Sequence, residues 1–306
     1  MPIRLSENFR ALFYVPFYAA HAIGAYQAEG VEVELVASRD PARTATALHS
    51  REIDAMWGGP LRVMLTHAQV PTADSVCFCD VIARDPFFII GREPRPDFHI
   101  ADLADVHFAS VAEVPTPWLC LQNDLREAGI DPARLDRING PSMAENAAAL
   151  RAGSLEAVQL FQPHAEELIA TGAGHVWYAA ADRGLTAYTT LVTRRPLLVS
   201  RRGELLRMTR GIARTLRWIA ETPGGDIARA LVEFFPSVAP DIFAAAIDRY
   251  RALRLFAVDP MLRREGFDRL QTAMRSGGAL DRAIPFEQCV DNSLAEQALV
   301  DSAIER

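Results

Sequence analysis

Tyr14, Trp57, Trp118 and Phe161 each stand where a strand-like pattern meets a helical one, in company that could hold a small molecule. Phe13 precedes Tyr14, Gly58-Gly59-Pro60 follows Trp57, Glu113 to Pro117 precedes Trp118, and Gln162 follows Phe161. Such residues bind rather than react. Rings offer faces on which a planar compound stacks, while Glu113, Thr116 and Gln162 offer the few polar groups that orient it. Taken singly, Trp57 and Trp118 are equally well explained as core, because large rings are mostly buried whatever their role. Glu113 alone also reads as a solvated loop carboxylate.

Groups for covalent or metal chemistry are sparse. All 32 basic side chains are arginine, so no lysine is available for a Schiff base. The seven histidines show no paired ligand spacing, and His164, next to a candidate loop, reads as a partner for a helix start. Cys77 and Cys79 lie two apart on an expected strand and should share a face, but they lack C-x2-C spacing and fit small core thiols. The four cysteines are too few for a disulfide framework. No catalytic residue, metal or cofactor is expected.

The elements that must position these residues alternate between strand and helix. A first strand near 2–6 hands over to a loop, and Pro16, with φ preset and no N–H, suits the first turn of a helix over 17–28. Gly30 closes that helix, and the alternation of 31–35 is a half-buried strand. A helix over 41–50, a strand over 53–57 stopped by Gly58-Gly59-Pro60, and a helix over 61–69 follow. Buried strands are expected at 75–83 and 87–91, separated by the turn signal Arg84-Asp85-Pro86. A rigid polar segment at 92–96 then marks a passage to a second lobe. There, Val106 to Val111 is a strand, Thr116 caps a helix over 118–128, and further strands fall at 136–138, 157–161 and 175–178. The strand 187–193 returns to the first lobe, and the pattern is helical from Arg201 onward.

This order resembles the solute-binding proteins for nitrate, alkanesulfonates and thiamine-precursor pyrimidines, together with the thiamine-pyrimidine synthases that share their fold. The resemblance rests on Tyr14, Pro16, Phe17, Glu29-Gly30 and the alternating strand 31–35, on the Ile53-Asp54-Ala55 strand with its small-residue loop, and on the turn Ile100 to Asp105. It implies an α/β, two-lobed type II periplasmic-binding-protein fold with two crossovers and a helical C-terminal third. Lobe one would comprise 1–92 and 188–306, and lobe two 93–187. It also implies capture of a small aromatic or heteroaromatic compound by hinge closure, with Phe13, Tyr14, Trp57, Gly58, Gly59, Pro60, Glu113, Thr116, Trp118, Phe161 and Gln162 at the ligand. A membrane permease and an ATPase would be the partners.

The same scaffold also carries enzymes, so a desulfinase-, decarboxylase- or synthase-like activity on a planar molecule is the alternative. Tyr14 stands where the related synthase has its reactive histidine, the cofactor-linked lysine has no counterpart, and residues 7–16 hold no cysteine for a desulfinase. At 306 residues with 50% hydrophobic content the chain can bury two cores. Net charge −7 and a pI near 5.6 argue against nucleic acid as a partner. No apolar run is long enough for membrane insertion. Residues 11–25 imitate a signal sequence but are interrupted by Pro16 and His21 and belong to the fold. The expectation is a cytoplasmic protein, or a periplasmic one if the start is misassigned or the chain trimmed.

Overall fold

A computed structural model describes residues 1–38 and 41–304. The first region runs β1 (Ile3–Ser6), α1 (Val15–Ala22), α2 (Ala25–Ala28), β2 (Val33–Val36), α3 (Pro41–His49), β3 (Ala55–Gly58), α4 (Pro60–Gln69) and β4 (Ser75–Ile82). The second runs β5 (Phe88–Gly91), β6 (Phe108–Ala109), α5 (Thr116–Glu127), β7 (Arg137–Ile138), α6 (Met143–Arg151), β8 (Ala157–Leu160), α7 (His164–Ala170) and β9 (His175–Ala179). The chain then returns through β10 (Thr189–Arg194), α8 (Arg195–Ser200), α9 (Arg202–Glu221), α10 (Gly224–Ala230), α11 (Pro240–Ala252), α12 (Arg264–Ser276), α13 (Phe286–Cys289) and α14 (Ser293–Ile304).

Two sheets follow from this order, one per lobe: β2-β1-β3-β10-β4 and β7-β6-β8-β5-β9. They share one plan. In each, four parallel strands are interrupted by one antiparallel strand: β10 between β3 and β4, and β5 between β8 and β9. The architecture is the expected two-lobed periplasmic-binding-protein fold. The first passage, however, lies at 83–87 and not at 92–96, so lobe two begins about β5 and not at residue 93. Phe88–Gly91 pairs with β8 and β9, and Arg84-Asp85-Pro86 is the crossover itself, not a hairpin turn. The return passage falls between β9 and β10, at 180–188.

Local departures have local causes. The expected helix over 17–28 is broken in two because Gly24 takes φ 67°, which only glycine adopts without strain. Gly30, at φ 69°, closes α2 as expected, with the Gly30 and Val31 N–H groups donating to Gln27 and Tyr26 carbonyls. Cys77 and Cys79 do not share a face. A bulge between their partners Val192 and Leu191 places an extra residue in β4, so Cys79 packs in the main core with Phe78 while Cys77 joins a second cluster with Met56 and Val192. All four cysteines are buried free thiols.

The C-terminal helices do more than pack back on lobe one. Helix α9 covers α1, α2 and β4 with a buried stripe that includes Leu205, Met208, Ile212, Leu216 and Ile219. Helices α11 and α12 touch both lobes. On α11, Arg249 holds Glu166 at 2.7 and 3.0 Å, and the Tyr250 hydroxyl accepts from the Gln162 N–H and donates to the Pro86 carbonyl, both at 3.2 Å. At the end of α12, Ser276 accepts from Arg126 of α5 at 3.0 Å, and Gly277 lies so close to Leu119 that a Cβ would come within 2.3 Å of it. Between them the passages are tied directly. Arg183 reaches Asp85 at 2.9 Å and Asp124 at 2.5 Å, with Asp85 almost wholly buried. Burial raises the Asp85 carboxyl despite the guanidinium beside it.

Candidate functional site

Between the lobes lies a cleft whose cavity is about 100 Å3. Lobe one supplies Asn8, Phe9, Phe13, Tyr14, Gly59, Leu61 and Arg62, the return strand supplies Tyr188 and Thr189, and lobe two supplies Glu113, Val114, Pro115 and Thr116. These positions follow from strand direction. The loops after the parallel strands β1, β3 and β6 open at their carboxyl ends, where open α/β sheets bind ligands. Strand β10 runs the other way, so its first residues reach the same rim.

The walls are aromatic and mutually braced. Phe13 lies 4.2 Å from Tyr14 and 6.0 Å edge-on from Tyr188 between ring centroids, and Phe9 meets Tyr14 edge-on at 5.2 Å. The Tyr14 hydroxyl accepts from the Asn8 amide at 3.3 Å and sits beside Thr189 and Arg62. Burial pushes that phenol up to about 12, against the pull of Asn8, Thr189 and Arg62, so it is a proton donor near neutral pH. Thr189 is 1% exposed, and its Oγ1 has no partner of good hydrogen-bond geometry.

Three helices start at this cleft: α1 after Tyr14, α4 after Gly59 and α5 after Pro115. None has a side-chain cap, though Pro16, Pro60 and Pro117 have no N–H to offer and the Val15 and Arg62 N–H groups already donate to the Leu12 and Gly59 carbonyls; the helix dipoles still favour negative charge here. Gly59 is fitted to the place. A Cβ there would approach the Tyr188 carbonyl to 3.2 Å. Thr116 lines the cleft but is the first residue of α5 and not its cap, because Pro115 takes the cap position in a helical conformation.

Of the sequence candidates, Phe13, Tyr14, Gly59, Glu113 and Thr116 meet at this cavity, and the others do not line it. Trp57 is fully buried, stacked on Phe17 at 4.7 Å and edge-on to Tyr18, with its indole N–H unpartnered. Gly58 ends β3 behind it, and Pro60 is buried as the first residue of α4. Trp118 packs against lobe two's own core under the Arg137 guanidinium, 4.1 Å from its ring. Phe161 stands behind the wall, edge-on to Phe13 at 5.2 Å. Gln162 is fully buried and bonds Glu166 and Tyr250. Glu113 reaches the cleft, but its carboxylate already accepts from the Met143 N–H at 2.8 Å, at the start of α6.

The described residues contain no group of three or more histidine, cysteine, aspartate or glutamate side chains placed to hold a metal. Among them, no helix is long and apolar enough to cross a membrane. Burial pushes the Cys120 and Cys289 thiols up to about 12 and raises the other two as well, so none is held as a thiolate nucleophile.

With the cleft defined, comparison with known proteins places the chain. Residues 9–232 match the NMT1-like family. The chain belongs to that family. Among curated proteins, this NMT1-like chain is 27% identical over 297 residues to YtlA of Bacillus subtilis (strain 168), a candidate binding protein by its name, covering 96% of this chain and 89% of that one. Among solved structures it is similar to the periplasmic aliphatic sulphonate binding protein SsuA from Escherichia coli, with TM-score 0.75 and 15% identity over 95% of this chain and 92% of that one. It is also similar to the desulfurization enzyme DSZB, with TM-score 0.70 and 14% identity over 98% and 99% of the two chains. At such identities the two structures establish a shared fold and no more.

Sequence reading missed Asn8, Phe9, Arg62, Tyr188 and Thr189. Signals existed for the last three. Arg62 follows Pro60 by two residues and therefore sits in the first turn of α4, and Tyr188-Thr189 open a strand expected to return to lobe one. Nothing in the local pattern of Asn8 or Phe9 distinguishes them from other loop residues.

Proposed function

We propose that this NMT1-like chain is the solute-capturing component of an ABC-type import system and that it binds a small aromatic or heteroaromatic anion, such as an aromatic acid or a sulfonate, between its lobes. The observation that carries this reading is the pairing, at one cleft, of an aromatic wall (Phe9, Phe13, Tyr14, Tyr188) with uncapped helix starts and the Arg62 guanidinium. The wall suits a planar apolar body, and the helix dipoles and the guanidinium suit an oxyanion. The family assignment, the likeness to YtlA and the likeness to a sulphonate-binding protein support it. A permease and an ATPase would be its partners, and an extracytoplasmic location would follow.

The cavity of about 100 Å3 is well below the roughly 300 Å3 or more of ordinary ligand pockets, so an aromatic ligand enters only when the lobes part and close again. The test is a thermal-shift panel of aromatic carboxylates, alkyl and aryl sulfonates and pyrimidines on the purified chain. A ligand at 100 times its Kd adds about 2.7 kcal/mol of stability. Stabilisation by planar anions, lost in Arg62→Ala, supports the reading, while a panel that responds only to neutral or cationic compounds refutes it.

The rival is an enzyme on the same scaffold, favoured by the likeness to DSZB, a mutant of which is known in complex with biphenyl-2-sulfinic acid. Incubation with the stabilising compound, followed by mass spectrometry, separates the two. Product in molar excess over protein, abolished by Tyr14→Phe, establishes turnover.

A further inference from the structure

A second cavity, about 620 Å3, lies in lobe one and shares no lining residue with the cleft. It opens between the C-terminal halves of α9 and α11 and the segment Phe256–Val258. That segment runs along the free edge of β4: Phe256 bridges Ile82, and the Ala257 N–H donates to the Val81 carbonyl at 2.9 Å. Leu216, Ile219, Phe256 and Ala257 form an apolar floor, each less than a tenth exposed. The volume falls within the roughly 300–1,000 Å3 of small-molecule sites.

The rim sets the charge of an occupant. Arg217, Arg251 and Arg254 face Glu221 and Asp248 around it. Asp248 is engaged, accepting from Arg251 at 2.9 Å and from the Gly224 N–H at 3.0 Å. Arg251 also donates to the Ala220 carbonyl at 2.7 Å, which satisfies part of the α9 C-terminus. Its Nε, though buried, has no partner. Arg217 and Arg254 make no ion pair or side-chain hydrogen bond among the described residues. Arg254 moreover holds φ 53°, a backbone state that costs a non-glycine residue energy and turns the chain at the cavity's edge.

These facts select an occupant. A cation meets three guanidiniums against two carboxylates, one of which is already engaged, and a neutral hydrocarbon leaves Arg217 and Arg254 without a counter-charge. The carboxyl ends of α9 and α11 disfavour negative charge on their own, but the engaged Ala220 carbonyl and the surplus guanidinium reverse that balance. We infer that this cavity is a second ligand site, which takes an amphiphilic monocarboxylate with its apolar chain on Leu216, Ile219, Phe256 and Ala257 and its head on Arg254 and Arg217.

The test is calorimetric titration of the whole chain with decanoate below its micelle concentration, with decylammonium as the control of opposite charge. Decanoate is expected to bind once per chain. Its affinity should fall by about tenfold or more in Arg254→Asn, which tolerates the same backbone state, and in Ala252→Trp, which fills the mouth from an exposed position. Arg62→Ala, at the cleft, should leave decanoate affinity within about threefold. Three results would each overturn the inference: no binding up to about 1 mM, equal binding of decylammonium, or binding lost in Arg62→Ala and kept in both back-cavity variants.

Discussion

The two faces of the cleft are unequal. Lobe one and its return strand present four aromatic rings, a guanidinium, an amide and a buried hydroxyl, whereas lobe two presents Glu113 to Thr116, of which the carboxylate is already bonded to the start of α6. Lobe two has large rings of its own, but Trp118 and Trp177 are spent inside it, under Arg137 and against Phe98 respectively. The difference teaches a division of labour. On the proposed function, lobe one would hold the ligand and lobe two would supply a small, polar closing surface with the α5 N-terminus at its centre.

The largest expected effect concerns what keeps the faces opposed. Arg183→Met leaves Asp85 and Asp124 without their shared guanidinium at the crossovers, and breaking a buried pair in this way costs about 3–5 kcal/mol. Urea unfolding of the variant should show that loss, with lobe two separating from lobe one as a distinct transition. A variant as stable as the parent would mean that α11 and α12 alone fix the two faces.

A second change isolates lobe one. Asp80, buried in β4, has its carboxyl pushed up to about 8, chiefly by burial and with Asp259 adding to it, while the Val81 N–H and Arg263 oppose. The folded state therefore binds a proton that the unfolded state releases near pH 4, and stability drains away as pH rises from about 4 towards 8. Asp80→Asn, which keeps the acceptor for Val81, should match the parent below about pH 4 and exceed it by up to about 5 kcal/mol at pH 8. Equal denaturation midpoints at the two pH values would show that Asp80 is not the group concerned.

Ligand affinity then reads the inequality of the faces directly. Arg62→Ala should weaken binding of the compound found by the thermal-shift panel by about 1.5–3 kcal/mol, as befits a charged donor. Trp118→Ala in lobe two is the smallest effect. It removes packing beneath Arg137 and should leave affinity within about threefold, measured by calorimetry. A tenfold loss in Trp118→Ala would place that ring in the bound state and cancel the asymmetry.

Much of the fold was legible because its signals are local. Pro16, Gly30 and Pro60 mark helix ends by backbone chemistry, and the alternation about Val31–Leu35 marks a strand by its period. What failed depends on partners distant in sequence. Phe87 to Gly91 is a continuous apolar run, which reads as buried in either sheet, so no local pattern says that it pairs with β8 and β9. At the cleft, the loops were legible and the directions of their side chains were not. All four residues of β3 are buried, so its sequence offers no polar face to show that Trp57 turns towards Phe17 while the neighbouring Gly59 meets the cavity. Phe161 was displaced in the same way, by a single layer of rings.

The late arrival of β10 also sets an order of events during synthesis. All five strands of lobe two's sheet lie between residues 88 and 179, so that sheet can assemble as soon as the segment has left the ribosome. Lobe one is in the opposite position. Its sheet has a gap between β3 and β4 until Thr189–Arg194 arrives, and the exposed edges beside that gap are open to mispairing for the time it takes to make more than a hundred residues. A nascent chain arrested before β10 should thus carry a finished lobe two beside an open lobe-one sheet that lacks the Tyr188 and Thr189 of the cleft.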